Sequence, residues 1–137
     1  KMIYHPAVRR LLLKLPAVQA RYYHCEFYLV GSALHLLHPR DLDVVVKVPE
    51  PLFLAMFGAE DSRETIHTWS CAVDNWDFRS DIWKQWARDT ATQSKELTLL
   101  TGTQVDFKTQ PCSYFEKITK ARKLIDNSFR EELKISF

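Results

Sequence analysis

The chain has 137 residues, 46% hydrophobic and 26% charged, with a formal net charge of +2 at pH 7. That length fits one domain with a core of ordinary size. The near-neutral balance excludes a dedicated polycationic nucleic-acid coat, and no apolar run approaches the roughly 20 residues needed to span a bilayer.

Three scattered cysteines, Cys25, Cys71 and Cys112, form no CxxC pair. Their spacing argues against a disulfide framework or a zinc site and, with no signal-peptide layout over Lys1–Pro6, points to a reducing cytoplasm.

In chain order, Val8, Leu11, Leu12, Leu15 and Val18 recur at helical spacing and predict a helix over 7–20, which Pro16 should kink or end. Glu26–Val30 reads as a first strand. Gly31 then turns the chain, and Ser32–Leu37 forms a helical turn ahead of Pro39. Asp41–Val48 is the clearest strand, rich in β-branched residues. Leu42, Val44, Val46 and Val48 share one of its faces, and Asp41, Asp43, Val45 and Lys47 the other. Leu52–Phe57 predicts a helix that stops near Gly58. Residues 60–76 mix Thr, Ser, Asp and Trp and read as loop, short strand or both.

Ser80–Ser94 predicts a helix, with Ser80 as N-cap, Asp81 in the first turn, and Ile82, Trp83, Trp86 and Thr90 along its buried stripe. Glu96–Gln110 reads as two strands joined at Thr101-Gly102, a hairpin. There Gln104, Asp106 and Lys108 share a face opposite Val105 and Phe107. A last helix is expected from Ser113 to about Asn127, with Phe115, Ile118, Ala121, Leu124 and Ile125 inward and Lys117, Lys120, Arg122 and Lys123 outward.

The chemistry-bearing stretch is Tyr28–Val46. Asp41 and Asp43, at i and i+2 of a strand, point to one face. Facing carboxylates repel unless a cation lies between them, and hard oxygen ligands suit Mg²⁺. The Gly31-Ser32 turn upstream offers backbone N–H groups and a hydroxyl to a phosphate. Such a cradle beside a metal-binding pair is the minimum equipment for phosphoryl or nucleotidyl transfer.

Gly-Ser, an eight-residue spacer, Asp-x-Asp opening an apolar strand, then a lone aspartate in a later strand: this combination resembles the polymerase-beta-like nucleotidyltransferase superfamily, most of all its minimal single-domain members. The resemblance is sharp over residues 27–48, plausible over 96–110 and only architectural elsewhere. It implies a small α/β (α+β) fold over residues 1–137, with a mixed sheet flanked by helices. It further implies that Gly31 and Ser32 hold a triphosphate, that Asp41 and Asp43 bind two Mg²⁺ (or Mn²⁺) ions, and that Asp106 is the third carboxylate. The activity so implied is transfer of a nucleoside monophosphate from a triphosphate to a hydroxyl of an RNA 3′ end or a partner protein. In such chemistry two ions about 3.5–4 Å apart steady the attacking and leaving oxygens. A dimer or partner protein that completes the site is also expected from the small size. The spacer Ala33–His38 departs from the pattern, being apolar, with Arg40 the arginine nearest the motif.

Arg40 and Lys108 are further candidates for phosphate contact, as is the basic Lys117–Lys123 face if it flanks the carboxylates. His35 and His38 lack a third metal ligand nearby, so packing or surface roles suit them better. Trp69 and Trp76 are the tryptophans placed to stack on a base; Trp83 and Trp86, at helical spacing, suit the core. The alternative function is an antitoxin or inhibitor that binds through the same fold without catalysis. A metal-dependent nuclease built on the same aspartates ranks lower, because the usual Glu-x-Lys partner spacing is missing.

Overall fold

The computed structural model describes residues 6–22, 25–35, 39–58, 65–75 and 80–124. Among them, five α-helices and a four-stranded mixed sheet form an α+β architecture. The strands are β1 (Glu26–Val30), β2 (Asp41–Val48), β3 (Gln104–Pro111) and β4 (Arg122–Lys123), in the order β3-β2-β1-β4. β2 pairs antiparallel with β1 and parallel with β3, while β4 runs antiparallel to the other side of β1.

Alternation along the strands decides the two faces of the sheet. Phe27, Leu29, Leu42, Val44, Val46, Val48, Val105 and Phe107 lie on the apolar face and join one contiguous buried cluster. The helices α1 (Pro6–Gln19), α2 (Glu50–Phe57), α3 (Ile66–Asn75) and α4 (Asp81–Thr101) contribute Leu11, Leu15, Phe53, Trp69, Ile82 and Leu97 to it. Glu26, Tyr28, Lys47, Asp43, Asp106 and Lys108 lie on the opposite face, which the short α5 (Cys112–Phe115) partly covers through Phe115, its ring 4.6 Å from that of Tyr28.

Five details differ from the sequence expectations. Pro16 does not end α1, which runs on to Gln19; burial of Leu12, Leu15 and Val18 outweighs the single backbone hydrogen bond that proline forgoes. α2 begins at Glu50 with Pro51 in its first turn, where a missing N–H costs nothing. The ambiguous 60–76 stretch contains α3, anchored by fully buried Trp69.

The hairpin over 96–110 is absent. Leu97 and Thr101 are buried one helical turn apart, so α4 continues through them, and Gly102 at φ +72° is its left-handed cap, donating its N–H to the Thr98 carbonyl at 3.0 Å. Thr-Gly is a helix stop here, not a hairpin turn. Nor does the tail helix persist from Ser113. After Phe115 the chain turns and returns as β4, because Leu124 is fully buried and donates its N–H to the Phe27 carbonyl at 2.7 Å. Residues 125–127 of that expected helix lie outside the described residues.

α4 also closes the outer edge of β3. Ser94 Oγ accepts the Phe107 N–H at 2.8 Å and donates to the Phe107 carbonyl at 3.1 Å. Thr98 Oγ1 accepts the Val105 N–H at 2.9 Å, and Trp86 Nε1 donates to the Thr109 carbonyl at 2.9 Å. An open strand edge is a template for pairing with another chain; here helix side chains occupy it. Ser80 caps the N-terminus of α4 as expected, its side chain accepting the Trp83 N–H at 3.3 Å.

Candidate metal centre

Asp41 and Asp43 open the central strand, where β-branched residues keep the backbone extended and alternation sends both carboxylates to the polar face. In the parallel register Asp43 lies opposite Asp106 of β3, and in the antiparallel register opposite Val30 of β1. The sheet therefore gathers what the sequence holds more than 60 residues apart. One carboxylate oxygen from each of Asp41, Asp43 and Asp106 lies within 4.8 Å of the others, all three residues being half-buried.

The electrostatics of Asp43 differ from those of Glu26 on the same face. Glu26 is held below the ordinary carboxylate range, first by the Tyr28 hydroxyl, 2.6 Å away, then by Lys123 at 3.3 Å, against the cost of its burial. Asp43 is pushed the other way. Burial comes first, followed by the Asp41 and Asp106 charges, with Lys108 pulling back down and a hydrogen bond to Asp106 adding to the rise. Two carboxyl groups hydrogen-bond each other only by sharing a proton. A bound cation would relieve the same repulsion, and three converging carboxylate oxygens are the donor set a hard divalent ion such as Mg²⁺ takes. The residues present fit that ion.

Gly31 follows β1 at φ +73°, and a Cβ placed there would lie 2.5 Å from Asp43 Oδ2. Glycine thus lets the turn sit directly against the carboxylate. Ser32 is exposed in the 3-10 turn Gly31–Leu34, its carbonyl accepting the His35 N–H at 3.0 Å. Of the sequence-predicted site residues, Asp41, Asp43, Asp106 and Gly31 come together, and Lys108 lies on their face. Arg40 is exposed at the bend before β2.

Other candidates fare differently. Trp69 is fully buried between Phe53, Trp86 and Tyr114 and has no surface to offer a base; Trp76 and His38 lie outside the described residues. Lys117 and Lys120 sit on no helix. They belong to the segment joining α5 to β4 and, with His35, line a surface cavity beside Gly31. No Gly or Pro marks the end of α5, so the periodic apolar pattern gave no signal of that placement.

No protein-family model, no curated protein and no solved structure matches this chain. No helix among the described residues is long and apolar enough to cross a membrane.

Proposed function

We propose that this protein is a metal-dependent nucleotidyltransferase of the polymerase-beta-like superfamily. The observation that carries the reading is the convergence of Asp41, Asp43 and Asp106 within 4.8 Å on a half-exposed sheet face, directly against the Gly31 turn. A Gly-Ser turn and an Asp-x-Asp strand alone are common features; their contact in space with a third, distant carboxylate is not demanded by the core.

In this reading Asp41, Asp43 and Asp106 hold Mg²⁺, which when bound neutralises charge on the phosphates. An acceptor hydroxyl forms a bond to the α-phosphorus of a nucleoside triphosphate, and the bond from that phosphorus to the β-bridging oxygen breaks. Pyrophosphate leaves with the electron pair. Asp106, at the outer strand, accepts the hydroxyl proton. Gly31 and Ser32 face the phosphates, and the acceptor is an RNA 3′ end or a partner protein.

The test is label transfer. Wild type and an Asp41→Ala/Asp43→Ala variant are incubated with each α-labelled nucleoside triphosphate, Mg²⁺ or Mn²⁺, and whole-cell extract. Label on an RNA or protein band with wild type only is the expected result. Absence of transfer, with both proteins retaining the same partner from the extract, would replace the reading with that of a non-catalytic binding protein.

A further inference from the structure

Among the described residues, the exposed large hydrophobic side chains are Leu13, Leu99 and Leu100. Exposed leucines scattered singly are ordinary, but these three gather at one end of a single helix pair. Arg10 of α1 donates Nε to the Thr101 carbonyl at 3.1 Å and Nη2 to Thr103 Oγ1 at 3.3 Å. Beyond the other end of α1, the Tyr22 hydroxyl donates to Asp89 Oδ2 at 2.9 Å. Those two ties set α1 and α4 antiparallel. Leu13 is one turn along α1 from Arg10, and Leu99 and Leu100 are the two residues before its Thr101 acceptor. None of the three serves the core, which takes Leu11, Leu12 and Leu15 from α1 and Ile82 and Leu97 from α4. Lysine or glutamine would extend either helix about as well.

The charges around the leucines are predominantly positive. Arg9, Arg10 and Lys14 are exposed on α1, and no acidic residue precedes Glu26 in the sequence. On the last two turns of α4, exposed Lys95 stands one turn from Leu99, and exposed Glu96 one turn from Leu100. The whole chain carries a net charge of only +2, so this excess belongs to the face and not to the protein at large. The face is part of the helix layer, across the sheet from Asp41, Asp43 and Asp106.

We propose that the α1–α4 face docks an acidic amphipathic helix of a partner protein. Its apolar stripe covers Leu13, Leu99 and Leu100, and its carboxylates meet Arg9, Lys14 and Lys95. A second copy of this chain is a poor occupant, because a twofold interface sets the patch against itself, cation against cation. RNA would satisfy the cations but leave three leucines under phosphates, and neither helix has an exposed aromatic ring to stack a base. An anionic membrane takes up a continuous apolar face to a depth of about 5–10 Å; α1 and α4 turn theirs to the core. The inference does not depend on the nucleotidyltransferase reading, and a partner held here leaves the carboxylates open.

The test uses two labelled synthetic helical peptides, one with a leucine stripe flanked by glutamates, its twin with lysines in their place. Binding is followed by fluorescence anisotropy. Wild type is expected to bind the acidic peptide, more weakly as salt rises, and to ignore the lysine twin. Leu13→Ser/Leu99→Ser should weaken that binding about tenfold. Arg9→Glu/Lys14→Glu should shift preference to the lysine peptide. Unfolding midpoints verify the fold of both variants, and Leu99→Ser alone, at a residue 75% exposed, replaces a double variant that unfolds. Equal binding of the two peptides, binding of neither, or an affinity untouched by the variants overturns the inference. Short single-stranded RNA or phosphatidylserine vesicles bound through the same residues, in preference to the acidic peptide, overturn it in favour of nucleic acid or membrane. A wild-type dimer that Leu99→Ser dissociates in sedimentation velocity would overturn it in favour of a second copy. Faster amide exchange over residues 125–137 in Leu99→Ser would overturn it in favour of the chain's own residues.

Discussion

Gly31 and Asp43 are fitted to each other: a Cβ on the glycine would lie 2.5 Å from Asp43 Oδ2, and the glycine backbone sits at φ +73°. The turn against Asp43 is thus built on the one residue type that both tolerates that φ and leaves room for the acid.

Gly31→Ala is expected to lose about 1–2 kcal/mol of stability from the left-handed backbone and, separately, to push the Asp43 carboxylate out of place. Gly102→Ala is the control, since Gly102 has φ +72° but nothing within 4 Å of an added Cβ. Denaturant unfolding should show similar losses for both. Only Gly31→Ala should impair nucleotide transfer; equal activity in the two variants would mean that the contact with Asp43 has no functional weight.

The raised pKa of Asp43 makes a stability prediction whose sign is opposite to that of a salt-bridged aspartate. The folded protein holds a proton on this group more readily than the unfolded chain does. Folding stability from this group therefore falls as pH rises from the ordinary aspartate range through the raised value, and the penalty is fully present above it. Asp43→Asn should raise the unfolding temperature at neutral pH, and the gain should vanish in acid, below the ordinary aspartate range. A variant that is destabilised at neutral pH without added metal would contradict the repulsion inferred for the trio.

Mg²⁺ or Mn²⁺ should reverse that penalty in wild type. A ligand that binds only the folded state adds about 2.7 kcal/mol at a hundred times its Kd, enough to move the unfolding midpoint by several degrees. Asp41→Asn and Asp43→Asn should each abolish most of the shift. A midpoint that responds to the ion equally in all three proteins would rule out the carboxylate trio as its site.

Ser94 and Thr98 invite a different experiment, because they occupy the outer edge of β3. The double variant Ser94→Ala/Thr98→Ala should lose about 1–3 kcal/mol, from half-buried backbone groups left unpaired. It should also self-associate more readily through the opened edge. Denaturant unfolding and light scattering measure the two effects; unchanged values in both would show that water serves the edge as well as the hydroxyls do.

Residues whose roles follow from local physics were legible in the sequence. Alternation over Asp41–Val48 assigned each side chain of β2 to a face, and the Ser80 hydroxyl marked the start of α4, because each depends only on neighbours a few positions away. Local signals failed where two structures compete for the same residues. Thr101-Gly102 suits a hairpin turn and a helix cap equally, and burial of Leu97 and Thr101 against the core decided for the helix. Trp69 carried no periodic context, and its place in the core depends on Phe53, Trp86 and Tyr114 from three other elements.

The candidate site divides along the same line. The sequence by itself determined that Asp41 and Asp43 share a face beside a Gly-Ser turn, since a strand has a period of two. That Asp106 joins them was decided by the parallel register of β3 on β2, which follows from α4 carrying the chain back across the sheet. That Lys117 and Lys120 border Gly31 was decided by the return of β4 to the edge of β1. Pairings of this kind are set by which apolar surfaces must be buried together, and that is a property of the whole chain.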